Sequence, residues 1–509
     1  MSMACAGIHF GNTNSVISVL KNGKLETVSN ETGDRVTPTM VAYTGCEKVI
    51  GLPAKQYKVR NPNSCVSNIK ACIGQSFSDE HIEQVKGRCS CKVTNEHGTI
   101  SFKVNVEDTF VTLSAVDAAS FIFTKLLEEA EKIGGSDLED LVLAVPKWFS
   151  EEQRIALCEA SEKIGFNVLR IISEPAAALL AYGVGQEDPT LHCNVLVYRL
   201  GGCSMDASIV QVNSGMYRVV AEKRDLHFGG INFDTNLMKT CCEEFRRKYK
   251  LDPTESKRAI GKMMTAVESC KHGLSQMNTT AIALDSFYEG IDYHSQVSRS
   301  KFESTCSSHF QTCIKLVQEL LSENSMNPVD IDKVILIGGG TRMPKLQQMF
   351  RDMFSESEFL TSIPPDEVVA TGCALQAGLL QGRDDINLDS TTSSLDCVAR
   401  NIGIEVQENG ETRFDVIIPK NTPVPARRSR TFEVQPDQTS VVLRLHESSS
   451  NLLDESKLLG KVVIRDLLAD KAKELVSDFE LTRNGHLLVS LTDKLSQKKE
   501  QISIPILAV

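Results

Sequence analysis

The sequence predicts a duplicated α/β architecture, with sheet strands joined by crossover helices, followed by a small all-β sandwich. Three observations predict it. A strand, glycine turn, strand, tight turn, strand pattern occurs twice; helical and strand periods alternate between and after the copies; and beyond residue 396 the hydrophobic period becomes two.

The first copy reads Gly7-Ile8-His9-Phe10-Gly11-Asn12-Thr13, followed by the alternating run Val16 to Leu20 and an Asn22-Gly23 turn. Residues 61 to 77 form a loop-to-helix stretch containing Lys70. Val116, Ala119, Phe123, Leu126, Ala130 and Ile133 recur at helical spacing, and Gly134-Gly135 stops that helix. Leu141 to Val145 is a buried strand ended by Pro146. Ser150 with Gln153 makes a capping box for a helix closing near Gly165. Val168 to Ile172 is a further strand, and Glu174-Pro175 opens a short helix ending at Tyr182-Gly183.

This β-α-β-α order leads into the second copy, Val197-Tyr198-Arg199-Leu200-Gly201-Gly202-Cys203-Ser204, with Ala207 to Val212 and a Ser214-Gly215 turn. Residues 253 to 275 read as one long helix. Lys333 to Ile337 is a strand delivering Gly338-Gly339-Gly340 toward a helix that starts at Pro344. Residues 1–382 therefore form the α/β domain, and the polar run 383–396 reads as a linker. Residues 397–509 form the sandwich. Its strands are Phe414–Ile418, Thr431–Val434, Val441–Leu445, Val462–Ile464, Phe479–Leu481, Leu487–Leu491 and Ile502–Ile506, with an Asn484-Gly485 hairpin turn.

Composition excludes several function classes. A net charge of −11 argues against bulk electrostatic binding to DNA or RNA. The Asn421–Arg430 segment holds the sharpest basic cluster and reads as a solvated loop, with an acidic or RNA partner as the minority reading. No run reaches the roughly 18 apolar residues of a membrane span, and the start shows no basic n-region followed by an apolar stretch, so neither membrane nor secretory signal is expected. The 16 cysteines are scattered without Cys-x-x-Cys or zinc spacing, which fits buried or incidental thiols in a reducing cytosol and no zinc centre.

Glycine turns let backbone N–H groups close on phosphate oxygens. Mg²⁺ wants oxygen ligands, and neither His9 nor Arg199 supplies one. The two hairpins are thus suited to holding a nucleotide and poorly equipped to hydrolyse it.

Several runs together resemble one family, the seventy-kilodalton heat-shock chaperones. They include Gly7 to Gly11, Val145-Pro146, Asn167 to Pro175, Ala181-Tyr182-Gly183, Phe228-Gly229-Gly230, Leu284 to Gly290, Ile337 to Pro344 and Ile363 to Glu367, in order along nearly the whole chain. The resemblance implies a two-lobed, actin-like nucleotide-binding domain of duplicated ribonuclease-H-like halves, then a β-sandwich of the peptide-binding type. It implies ATP as ligand, with Lys70 and Glu174 in the catalytic positions. The phosphates would contact Gly11, Asn12, Thr13, Gly201, Gly202 and Ser204. Glu268, Lys271 and Ser275, one stripe of a helix, would face the adenosine, with Gly338, Gly339, Arg342 and Asp366 opposite. Read without the resemblance, Lys70 would be a solvated helix residue and the Glu268 stripe a surface ion pair.

The sequence departs from the family's pattern where the metal sits. His9 and Arg199 replace aspartates that organise Mg²⁺. Asn12, Cys203 and Ser204 replace a Thr, a Gly and a Thr, and His272 replaces an Arg. The leucine-rich linker is reduced to Ile386, Leu388 and Leu395, and no helical lid is expected after the sandwich. This combination most resembles a short, atypical cytosolic branch that pairs with a J-domain protein on the ribosome. The expectation is an ATP-binding chaperone subunit with weak or no hydrolysis, partnered by a J-domain co-chaperone, the ribosome and nascent polypeptide. A self-sufficient ATP-dependent chaperone is the alternative. A sugar kinase is disfavoured, since the chain offers no acidic base in a sugar-site context.

Overall fold

A computed structural model describes residues 4–77, 85–96, 98–107, 109–135, 138–186, 191–213 and 216–381. Beyond these it describes 398, 400–408, 411–419, 422, 426–434, 438–448, 456–465, 467, 473–481, 486–496 and 498–505. The run 383–396 and the turns at Ser214-Gly215 and Asn484-Gly485 lie outside the described residues. The chain divides into two compact units, residues 1–215 with 221–392, and residues 393–509 with 216–220.

The first unit carries the same strand order twice. In one sheet the order is Asn167–Ser173, Asp140–Val145, Cys5–His9, Asn14–Lys21, Lys24–Thr27. In the other it is Glu358–Leu360, Lys333–Ile337, His192–Leu200, Met205–Asn213, then Met216–Asp225, which belongs to this unit from Ala221 on. Each sheet has a parallel arm, which needs crossover helices, and an antiparallel arm closed by hairpins. The duplicated, actin-like α/β fold is therefore present, and it places His9 and Arg199 at matching strand ends.

Local chemistry explains the elements. Asn22 and Gly23 take the positive φ values, 52° and 75°, of a two-residue hairpin turn. Ser150 and Gln153 form the capping box of helix Glu151–Glu162. Helix Ala115–Gly134 buries Ala118, Ala119, Ile122, Phe123, Leu126 and Ala130 in the core of the first half, and Gly135 ends it at φ 90°. Helices Glu174–Ala181 and Val368–Gln381 cross closely, and a Cβ on Gly372 would lie 1.8 Å from the Ala177 carbonyl oxygen. One expected element is split: residues 253 to 275 form a 3₁₀ turn, Pro253–Glu255, and a helix, Lys257–Leu274, because Ser256 caps the helix by accepting from Ala259 N–H. A sheet of Lys92–Glu96, Thr99–Val106 and Thr109–Ser114 and a hairpin of Thr279–Tyr288 and Ile291–Ser298 complete the additions to the sheets.

The second unit is a sandwich of two four-stranded antiparallel sheets. One runs Glu411–Ile418, Asn401–Glu408, Val441–Ser448, Lys457–Ile464, and the other Ala426–Val434, Lys473–Leu481, His486–Asp493, Lys499–Pro505. Inward residues alternate along Lys473–Leu481, and Ile404, Leu445, Leu475, Phe479, Leu487, Val489 and Leu491 fill the core. Burying each such side chain stabilises by roughly 1.5–3 kcal/mol. Every regular element among the described residues from 398 on is a strand. The basic cluster corrects an expectation. Arg427, Arg428 and Arg430 lie in the edge strand Ala426–Val434, registered with Lys473–Leu481, and no loop separates them. The whole of Ala426–Val434 is in register with Lys473–Leu481, which carries the segment as strand, and Arg430 pairs at 2.6 Å with Asp415 of the other sheet.

Candidate functional site

The carboxyl ends of the parallel strands in the two halves deliver the site, the place where open α/β sheets bind ligands. His9 ends Cys5–His9, and Arg199 is the penultimate residue of His192–Leu200, in register with Asp206 and Ile337. Glu174 opens helix Glu174–Ala181 directly after strand Asn167–Ser173, with Ser173 capping the first turn. Lys70 sits on the short helix Ile69–Cys72, which follows Asn68 in a left-handed conformation at φ 59°.

These four side chains meet. Lys70 Nζ lies 2.7 Å from Glu174 Oε1, His9 Nε2 lies 3.4 Å from the same oxygen, and Arg199 Nε lies 3.1 Å from Glu174 Oε2. Arg199 Nε donates to Asp206 Oδ2 at 2.6 Å, Nη2 also pairs with Asp206, and Nη2 donates to Ser204 Oγ at 3.0 Å. Glu174 is 1% exposed, Lys70 7% and Arg199 8%, so the Lys70 ammonium is buried against a buried carboxylate and the reading of it as a solvated helix residue does not hold.

Electrostatics follow from that geometry. Burial pushes the Glu174 carboxyl upward, but Lys70, Arg199 and His9 outweigh it and hold it well below the ordinary carboxylate range. Burial lowers the His9 imidazole, and the nearby Lys70 and Arg199 cations add to that, so it is neutral at pH 7. Lys70 and Arg199 as cations, with Glu174 and Asp206 as anions, sum to zero. The alignment is incomplete: His9 Nε2 and Glu174 Oε2 are buried with no hydrogen-bond partner.

The two glycine turns touch in front of this network. A Cβ on Gly202 would lie 1.9 Å from Thr13 Oγ1, so only glycine lets the second turn approach the first. Gly11 precedes Asn12, whose Nδ2 donates to Asn68 Oδ1 at 2.8 Å while its Oδ1 accepts from Ala71 N–H at 3.3 Å. Cys203 Sγ lies 3.6 Å from the same Asn68 oxygen. Gly201 N–H bonds to the Ser204 carbonyl, and Gly201 and Gly202 carbonyls accept from Gly230 and Ile231 N–H.

Of the remaining expected residues, Lys271 joins through that loop. Lys271 Nζ donates to the Gly230 carbonyl at 3.1 Å and pairs with Asp234 at 2.7 Å, both buried. Glu268 pairs with Lys55 at 2.8 Å. Ser275 is the cap residue after helix Lys257–Leu274 and lines a cavity of about 200 Å³ with Lys271, Phe302, Phe310 and Met343. Gly338, at φ 83°, packs against Leu200, and Gly339 lies beside Asp366, which pairs with Arg342 at 2.7 Å. The structure thus ties Lys271 to the second glycine turn through Gly230 and Gly338 to the same strand end, while Glu268 contacts Lys55 and Ser275 lines a separate cavity.

Other residues beside these escaped the sequence reading. Asn68, Arg88, Lys55 and Asp234 are each fixed by partners distant in sequence. The Asn68-x-Lys70 spacing was the one local signal. Arg88 Nη2 donates to the His227 carbonyl at 2.8 Å. A cavity of about 660 Å³ opens here, lined by Lys70, Arg88, Arg199, Asn12, Trp148 and Phe149 among others.

The donor set suits phosphate and does not suit Mg²⁺. A hard dication needs oxygen ligands, and both Glu174 and Asp206 are already in ion contact with buried cations. A unit cation 4 Å from a dication would repel it by about 8 kcal/mol at an effective dielectric of 20.

Comparison with known proteins agrees with this architecture. The family model for the Hsp70 protein matches residues 5–507. The chain is 40% identical over 505 residues to heat shock 70 kDa protein 14 of Xenopus tropicalis, covering 99% of each chain. It is 40% identical over 510 residues to the human protein of that name, covering 99% of this chain and all of that one, and 39% identical to the Bos taurus protein at the same coverage. The chain belongs to the Hsp70 family.

Proposed function

We propose that this member of the Hsp70 family is a chaperone subunit that binds ATP with weak or no hydrolysis, pairs with a J-domain protein and assists nascent polypeptides at the ribosome. The observation that carries the reading is the Lys70–Glu174–Arg199–Asp206 network, in which both carboxylates are claimed by buried cations. A carboxylate clamped between two cations is a poor base for water. Removing one transition-state stabiliser typically lowers a rate by ~10²–10³, and a site that does not accommodate Mg²⁺ lacks the charge that phosphoryl transfer relies on. The glycine turns and the Lys271, Arg342 and Asp366 set support retention of the nucleotide.

With ATP bound, Lys70 and Arg199 hold phosphate oxygens, and the contact between Gly202 and Thr13 keeps the two turns closed on them. The J-domain and ribosome parts of the reading are supported by the resemblance in the departures: altered metal positions and a depleted linker each remove a part of an ATP-driven peptide clamp. No helix among the described residues is long and apolar enough to cross a membrane, which agrees with action in the cytosol.

One observation favours the alternative of a working chaperone ATPase, the Lys70–Glu174 contact itself. A single-turnover experiment separates the two: bound ATP is quantified and its conversion to ADP followed, with and without a J-domain protein. ATP that binds and persists supports the scaffold subunit. Conversion accelerated by the J-domain protein overturns it.

A further inference from the structure

We infer that the chain binds its nucleotide without a divalent cation, its own basic side chains neutralising the phosphates in the cavity beside Lys70. This rests on the ATP-binding reading and specifies the ionic form of that ligand. Among the described residues the cavity is lined by Lys70, Arg88 and Arg199 and by no carboxylate, and Asn12, Asn68, Cys203 and Ser204 are neutral. Glu174 and Asp206 are in ion contact with Lys70 and Arg199 at 2.7 Å or through the Arg199 guanidinium. An entering polyanion therefore meets the unbalanced charge of Arg88 and the N–H donors of Lys70 and Arg199, whereas an entering dication meets the same groups with no free carboxylate to receive it.

The chemistry of each group points the same way. Guanidinium and ammonium groups bond phosphate oxygens directly through charge-assisted hydrogen bonds. His9 Nε2 is buried beside them, 3.4 Å from Glu174 Oε1, and offers no oxygen to a cation. A neutral imidazole nitrogen is a poor ligand for Mg²⁺, which takes oxygen. Mg²⁺ bound to ATP would mask the charge that the cavity recognises. The metal-free nucleotide is accordingly the tighter ligand, and added Mg²⁺ weakens binding.

Equilibrium dialysis of radiolabelled ATP against the full chain, in excess EDTA and in excess Mg²⁺, tests this. The expected result is tighter binding in EDTA than in Mg²⁺, and a His9→Asp, Arg199→Asp double variant that binds at least about tenfold more weakly in EDTA than in Mg²⁺. The comparison on the natural chain stands whether or not the variant folds. Binding by the natural chain that is as tight or tighter with Mg²⁺ overturns the inference and leaves the ATP-binding reading intact. Absence of binding in both conditions overturns the ATP-binding reading and the inference with it.

Discussion

Replacing Glu174 by Gln keeps the side chain's shape and removes its charge, leaving Lys70 and Arg199 buried with Asp206 as their remaining anion, a net charge of one. Breaking a buried ion pair by removing one partner destabilises by about 3–5 kcal/mol. The first unit spans 387 residues (215 plus 172), so an unfolding entropy of about 2.1 cal/mol/K per residue gives roughly 0.8 kcal/mol/K and a melting shift of about 4–6 °C downward. Trp148, the one tryptophan in the chain, lines the cavity beside Lys70 and reports this unit by fluorescence. The sign of the pH dependence is fixed by the depressed Glu174 pKa. Its contribution is present above the unfolded value of about 4.3 and is lost as pH falls below it toward the folded value. The gap between the natural chain and Glu174→Gln should therefore be full at pH 7 and shrink below about pH 4. Adding Lys70→Met should recover part of the loss, because Lys70 is the cation left without an anion in contact, whereas Arg199 keeps Asp206. A Glu174→Gln variant that melts within about 1 °C of the natural chain at pH 7 would refute the argument that Glu174 is the anchor of a buried network.

Three further outcomes follow from the same structure. His9→Asp with Arg199→Asp should raise single-turnover ATP hydrolysis in Mg²⁺ by at least tenfold, because it frees Glu174 and supplies oxygen ligands; an unchanged rate with ATP still bound would place the defect elsewhere. Gly202→Ala puts a methyl group 1.9 Å from Thr13 Oγ1 and should destabilise by about 1–3 kcal/mol while weakening ATP retention, both measurable by the Trp148 melt and by dialysis. Ser150→Ala removes a capping box whose bonds measure 3.3 and 3.1 Å; it should lower stability by about 1 kcal/mol without altering ATP binding.

Local rules made much of the fold legible. The Asn22-Gly23 turn, the Ser150–Gln153 box and the glycine stop at Gly135 depend on a few neighbouring residues, and each forms as expected. Two readings of the sequence did not hold. Ser256 split the 253–275 stretch because a capping side chain competes with the helix. The arginines at 427, 428 and 430 lie in a strand because Ala426–Val434 pairs along its length with Lys473–Leu481, which comes well after it in the chain.

The sequence by itself determined the duplicated order of elements, the glycine turns and the presence of basic residues at positions 9 and 199, because all of these are properties of short segments. It did not determine what those basic residues do. His9, Lys70, Glu174, Arg199 and Asp206 come from five separate elements, and only the folded sheets bring them within 3.4 Å contacts of one another. The charge balance of the site is a sum over distances. Distances between segments far apart in the chain are set by packing, not by the residues' own identities.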